Sequence, residues 1–193
     1  MLTSIELRWF YPGKLPEDIS AWFNADSLCQ PPEHRQDIYL LVAPDCDYMG
    51  VKLRQGRLEV KWRKAELGTI SFGNLVEGKL EKWGKWLCED RTKESFQPQG
   101  VINKSEWIRV QKMRQQHTQR DCSVEITQLG INGDFWWSLA FEAIGENEDA
   151  IASLQALGSK IFADYQFHQL QVQDSFAYPL WLAIANTQID KKL

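Results

Sequence analysis

The sequence predicts an α+β protein built on a mainly antiparallel sheet. Three observations carry that expectation. Several stretches alternate strictly between apolar and charged residues, which is the period-two pattern of a half-buried strand. These stretches follow one another through short turn-like links, which favours local antiparallel pairing over parallel βαβ units. Helical periodicity appears only near the two ends of the chain, outside the run of strands.

The elements follow in order. Residues 3–11 place Ile5, Leu7 and Trp9 on one face and Ser4, Glu6, Arg8 and Phe10 on the other, and Pro12-Gly13 stops the strand. Residues 15–25 predict a helix: Ile19, Trp22 and Phe23 share a face, Pro16 suits the first turn, and Glu17 and Asp18 suit its dipole. A Pro31-Pro32 loop leads to a short apolar strand at 37–43, stopped by Pro44-Asp45. In residues 50–63, Val51, Leu53, Leu58, Val60 and Trp62 alternate with Lys52, Arg54, Arg57, Glu59, Lys61 and Arg63. Gln55-Gly56 interrupts the pattern, so this stretch predicts a tight hairpin.

Further strands are expected at 74–87, 107–115, 122–129 and 134–143, with 115–121 as a polar loop and Asn132-Gly133 as the strongest hairpin signal. Residues 146–163 predict a helix carrying Ile151, Leu154, Leu157, Ile161 and Phe162, with acidic residues in its first turn. Residues 179–185 predict a short apolar helix that begins with proline.

Composition bounds the function. The chain has 193 residues, 44% of them hydrophobic, and nine tryptophans, which is ample for a packed core in one domain spanning 1–193. A net charge of -4 is not the global footprint of a nucleic-acid binder, so any basic site must be gathered locally by the fold. Cys29, Cys46, Cys88 and Cys122 are scattered, with no C-x-x-C spacing. With no signal peptide and no long apolar run, the expectation is a cytoplasmic protein that does not partner with membranes. His34, His117 and His168 sit in polar segments without metal-like spacing and are expected at the surface. Trp83, Trp86 and Trp107 are expected to pack in the core or at a barrel end rather than to stack a ligand ring. Glycine-rich phosphate loops, G-x-S-x-G and H-E-x-x-H are absent.

The polar faces of the strands hold mostly Arg, Lys and Glu rather than Ser, Thr or Gln. The opposite faces carry bulky aromatics, Trp62, Phe135, Trp137 and Phe141, which require cover. One arrangement satisfies both: a barrel or strongly curved sheet with its apolar face outward under helices and its charged face inward. Such an interior must be wet, internally paired or filled by a ligand. Crowded Lys and Arg suit phosphate oxygens, and interleaved carboxylates either pair with those bases or hold a hard divalent cation.

At these residues the chain resembles the CYTH superfamily, the triphosphate tunnel metalloenzymes. Ser4-Ile5-Glu6-Leu7-Arg8 resembles the family's opening E-x-E-x-K strand. Lys52-Leu53-Arg54, Glu59-Val60-Lys61 and Lys112-Met113-Arg114 resemble its basic strands. Ser123-Val124-Glu125-Ile126 and Leu139-Ala140-Phe141-Glu142 resemble its carboxylate strands, which lead into a helix as here. The pattern departs at Ser4, where the family has Glu, at Arg8, where it has Lys, and at Ala140, beside a single Glu142. Trp136 and Ser138 share the face of Glu142, which implies a partly filled tunnel, and Ile108 and Val110 share the parity of Lys112 and Arg114.

The resemblance implies an eight-stranded antiparallel β-barrel with covering helices. It implies that Arg8, Lys52, Arg54, Lys61, Lys112 and Arg114 bind phosphate, while Glu6, Glu125 and Glu142 hold Mg²⁺ or Mn²⁺. No protein nucleophile is implied, because water attacks the terminal phosphate with metal assistance. Three functions stay open at this point: a phosphohydrolase acting on an inorganic or organic triphosphate; a non-catalytic module binding a polyphosphate or nucleotide anion; and a structural or interaction protein with a solvated charged sheet. Nucleic acid is not an expected partner.

Overall fold

The structure, a computed structural model, describes residues 1–25, 31–55, 57–88 and 106–187. Cys29 and Gly56 lie outside these residues. Eight strands form a closed barrel: β1 (Leu2–Pro12), β2 (Glu33–Leu40), β3 (Met49–Arg54), β4 (Arg57–Phe72), β5 (Val76–Cys88), β6 (Trp107–Gln119), β7 (Cys122–Ile131) and β8 (Asp134–Ile144). Their order around the barrel is β1-β5-β4-β3-β2-β6-β7-β8, and every pairing is antiparallel. The helices are α1 (Glu17–Phe23), α2 (Glu148–Ile161) and α3 (Tyr178–Thr187). This is the α+β barrel that the resemblance implied.

Turn chemistry fixes the registers. Asn132 and Gly133 both adopt positive φ, 51° and 87°, as a two-residue turn matched to strand twist requires. That turn sets Ile131 opposite Asp134 and, further along, Glu125 opposite Ala140. Strands also extend beyond the sequence pattern. β4 continues to Phe72 by absorbing register shifts between Arg63 and Ala65 and between Glu66 and Thr69. β6 runs to Gln119, so most of the expected polar loop at 115–121 is strand. His117 within it is consequently buried, its ring against Phe23, whereas His34 and His168 are exposed.

Period two then sorts the side chains. Ile5, Leu7 and Trp9 of β1, Val124 and Ile126 of β7, and Trp137, Leu139 and Phe141 of β8 face outward into one buried cluster. The cluster is covered by Ile19 and Phe23 of α1 and by Ala150, Leu154 and Leu157 of α2. Each large apolar side chain removed from water here contributes roughly 1.5–3 kcal/mol. α2 is also capped well: the Asn147 side chain accepts from the Ala150 N–H at 3.3 Å, and Glu148 and Asp149 occupy its first turn.

α3 does not cover the outside. Its Trp181 and Leu182 join Phe10, Val110, Leu129, Ile131 and Trp136 in a second buried cluster, built on the same strand faces that carry Arg8, Lys112, Glu125 and Glu142. Trp181 stacks on Phe10 with centroids 5.1 Å apart and meets Trp136 edge-on at 6.3 Å. One end of the barrel interior is therefore packed with aromatic and aliphatic side chains. The chain reaches it beside β1, where residues 170–177 form bridges from Leu170 to Val76 and from Ser175 to Trp9. Among the described residues, no helix is long and apolar enough to cross a membrane.

Candidate functional site

The other part of the interior is a cavity of about 110 Å³ lined by charge. Arg8 reaches it from β1, Arg35 from β2, Lys52 and Arg54 from β3, Lys61 from β4, Lys85 from β5, and Lys112 and Arg114 from β6. Glu6, Glu59, Glu81, Glu125 and Glu142 complete the charged lining, with Tyr39, Trp83 and Tyr178 as its aromatic members. All nine residues named from the sequence, Glu6, Arg8, Lys52, Arg54, Lys61, Lys112, Arg114, Glu125 and Glu142, line this one cavity. β6 points Lys112 and Arg114 inward in phase with Ile108 and Val110, because the first two residues of that face belong to the apolar plug and the last two to the cavity.

The charges are organised as a mesh. Arg8 donates to Glu125 at 2.9 Å and to the Ser138 hydroxyl at 3.3 Å, and its guanidinium lies over the Tyr178 ring at 4.8 Å. Arg114 binds the other Glu125 oxygen at 3.1 Å and Glu33 at 2.6 Å. Lys52 meets Glu59 at 2.8 Å, and Lys85 approaches the same carboxylate at 4.0 Å. Lys61 pairs with Glu6, whose carboxylate also accepts from the Ser4 hydroxyl at 2.5 Å. Ser4, which stands where the resembled family has a carboxylate, thus serves as a donor to the carboxylate that remains.

Sequence reasoning missed the floor of the site. Asp37 has no exposed surface and binds Arg54 through two 3.1 Å hydrogen bonds and Lys112 at 3.0 Å. Arg35, Asp37 and Tyr39 alternate inward along β2, and that alternation was the available signal. Glu81 was missed likewise; it binds Arg63 at 3.1 Å and accepts from the Trp83 indole at 3.0 Å. That hydrogen bond and near-complete burial make Trp83 part of the wall.

The electrostatics follow from crowding. Burial, with Arg54 alongside, pushes Lys52 down to about 7, although Glu59 opposes the shift. Burial also pushes Lys112 down to about 7 against the pull of Asp37, with Arg54 and Arg35 adding to the fall. Burial alone would raise Asp37 and Glu125. Their cationic neighbours, Lys112 and Arg54 for the first and Arg8 and Arg114 for the second, instead hold both well below the usual carboxylate range.

As placed, the carboxylates are engaged mainly with cations and are not gathered as a three-ligand metal set. Among the described residues, no three His, Cys, Asp or Glu side chains are gathered so as to hold a metal ion. Both oxygens of Glu125 are taken by arginines, and one oxygen of Glu6, Oε1, is shared by Lys61 and Ser4. Glu6, Glu59, Glu81 and Glu125 each pair with a cation here. Glu142, opposite Glu6 across the β1–β8 pairing, makes no ion pair or hydrogen bond among the described residues.

No family profile matches the sequence, and no curated protein does. Solved structures do match. The PH1012 protein of Pyrococcus horikoshii OT3 is 16% identical, with a TM-score of 0.51 over 93% of this chain and 98% of its own. The PH1819 protein of the same organism is 13% identical, with a TM-score of 0.49 over 96% and 99% of the two chains. The Pct1 RNA triphosphatase of S. pombe is 12% identical, with a TM-score of 0.45 over 97% of this chain and 84% of its own. The likeness to PH1012 is one of fold.

Proposed function

We propose that the barrel interior binds the phosphate chain of a small molecule bearing a triphosphate or polyphosphate group. One observation carries this reading: eight Lys and Arg side chains from six strands line a single cavity in a chain whose net charge is -4. Arg8, Lys52, Arg54, Lys61, Lys112 and Arg114 are its phosphate ligands, joined by Arg35 and Lys85. A guanidinium presents five N–H donors in a fixed fork, so Arg8 and Arg54 can keep a carboxylate on one edge and offer phosphate oxygens the other. An entering anion also adds negative charge beside Lys52 and Lys112, whose charged forms burial disfavours.

A second reading is phosphohydrolysis assisted by Mg²⁺ or Mn²⁺, and it rests on Glu142, which lines the cavity beside Glu6 and makes no ion pair among the described residues. With Glu6, Glu125 and Glu142 as the metal ligands, it requires Glu125 to leave Arg8 and Arg114.

A panel of tripolyphosphate and nucleoside triphosphates at low salt tests both. Thermal stabilisation by these ligands, with no phosphate release in Mg²⁺ or Mn²⁺, supports binding alone. Metal-dependent release that falls on Glu6→Gln establishes the hydrolase and overturns the counter-ion role of the carboxylates. The absence of both stabilisation and release would remove the cavity from consideration as an anion site.

A further inference from the structure

Asp37 stands beneath the cavity, fully buried and off its surface, yet it touches cations from three strands. Arg54 of β3 grips it with Nε and Nη2, one to each oxygen at 3.1 Å. Lys112 of β6 meets it at 3.0 Å, and Arg35 of β2 stands at 3.7 Å. The Tyr39 hydroxyl donates to Asp37 at 3.3 Å and accepts from Lys112 at 2.6 Å, closing a ring of contacts. A two-pronged carboxylate–guanidinium pair fixes the plane of the fork as well as its position.

We infer that Asp37 is a positioning residue for the anion site, setting the Arg54 fork and the Lys112 ammonium at the cavity wall without itself meeting the ligand. The inference rests on the proposed phosphate-binding function. It makes a claim about sign. If Asp37 were only a counter-ion, deleting its charge would leave the cavity more positive at the acid end of the titration, where Lys112 keeps its proton, and tighten anion binding there. If it positions, deletion frees two long side chains to many rotamers, and binding weakens.

The test is Asp37→Asn with tripolyphosphate as the probe, titrated calorimetrically across neutral pH. Partners that orient ligating groups are worth roughly 10–100-fold in affinity where they have been measured in metal sites, and a loss of that order is expected. A second readout separates positioning from general damage. Lys112 is faced by Asp37, Arg35 and Tyr39 of β2, Arg54 and Lys52 of β3, Glu125 of β7 and Tyr178 of α3. Asp37 is the carboxylate in contact with it, so the pH profile of binding moves to more acid values in the variant. Tyr39→Phe, which removes only the bridging hydroxyl, shifts both readouts the same way with smaller amplitude, and it decides the matter if Asp37→Asn does not fold. Equal or tighter binding at the acid end, where Lys112 is charged in both proteins, overturns the inference, as does weaker binding with the wild-type pH profile. A wild-type protein that binds no tripolyphosphate instead overturns the phosphate-binding reading itself.

Discussion

Raising the pH from about 6 to about 8 weakens phosphate-chain binding through Lys52 and Lys112. Both ammonium groups are buried in the cavity wall, and burial together with neighbouring guanidinium groups brings each to about 7 in the free protein. A bound polyphosphate favours their charged forms, so the complex must recover protons that the free protein has shed. Each pH unit above the free value costs about 1.4 kcal/mol per lysine. Two such lysines at about one unit above amount to roughly a hundredfold loss of affinity by pH 8. The ligand deprotonates over the same interval and becomes more anionic, which opposes the trend. The comparison is therefore between wild type and Lys112→Met, in which the ligand's own titration cancels. Calorimetry in two buffers of different ionisation enthalpy counts the protons directly. Wild type should take up about one proton more per binding event than the variant near pH 8, with a correspondingly steeper pH dependence. Parallel pH profiles and equal proton counts would refute the reasoning.

Other expectations concern the scaffold. Trp181→Ala empties the centre of the interior plug and should lower stability by about 3–5 kcal/mol, read from urea denaturation; a change below about 1 kcal/mol would mean that α3 is not seated in the barrel. Gly78→Ala places a methyl group 2.5 Å from the Trp9 ring and 2.6 Å from Leu7. A loss of about 1–3 kcal/mol is expected in the same assay, and an unchanged midpoint would contradict the close packing of β5 on those side chains. Asp37 and Glu125 have lower values in the folded chain than their ordinary 3.8 and 4.5. Their contribution is thus complete above about pH 4.5 and lost as the pH falls below it, and melting temperature against pH should show this loss, reduced in Asp37→Asn.

Much of the site was legible because parity is a strong constraint. Once Ile5, Leu7 and Trp9 face a covered core, Glu6 and Arg8 must face the interior, and the hairpin at Asn132-Gly133 propagates the same logic to Glu125 and Glu142. The metal ligands came from the family resemblance, since parity alone says nothing about what a carboxylate holds. Period two places three carboxylates on the inner face, but only side-chain geometry shows that arginines hold both oxygens of Glu125 and a lysine holds one oxygen of Glu6. Asp37 escaped notice because Ile38, Leu40 and Leu41 made its segment read as an apolar strand, with Arg35 left in the loop before it. The place of α3 was hidden for a different reason. An apolar helix satisfies its burial equally well outside a barrel or inside one, and its own periodicity does not choose. The choice was written in other strands: Phe10, Val110, Leu129 and Trp136 share the parity of the charged residues and change character toward one end. The ambiguous phase of Ile108 and Val110 was the visible trace of that change.

The interior plug also sets an order of events for the growing chain. Phe10 belongs to the first strand made, whereas Phe176 and Trp181, the rings stacked on it, belong to the last part of the described fold. β1 must likewise wait for both β5 and β8 to find its neighbours. During vectorial synthesis the first strand can meet β5 early but lacks β8 and the plug until late, a period in which exposed apolar surface and an unpaired edge invite association. Contacts this distant along the sequence also make closure slow once the chain is free. The yield on refolding from denaturant should therefore be governed less by the strength of the charged cavity than by how quickly β1 meets β8 and α3.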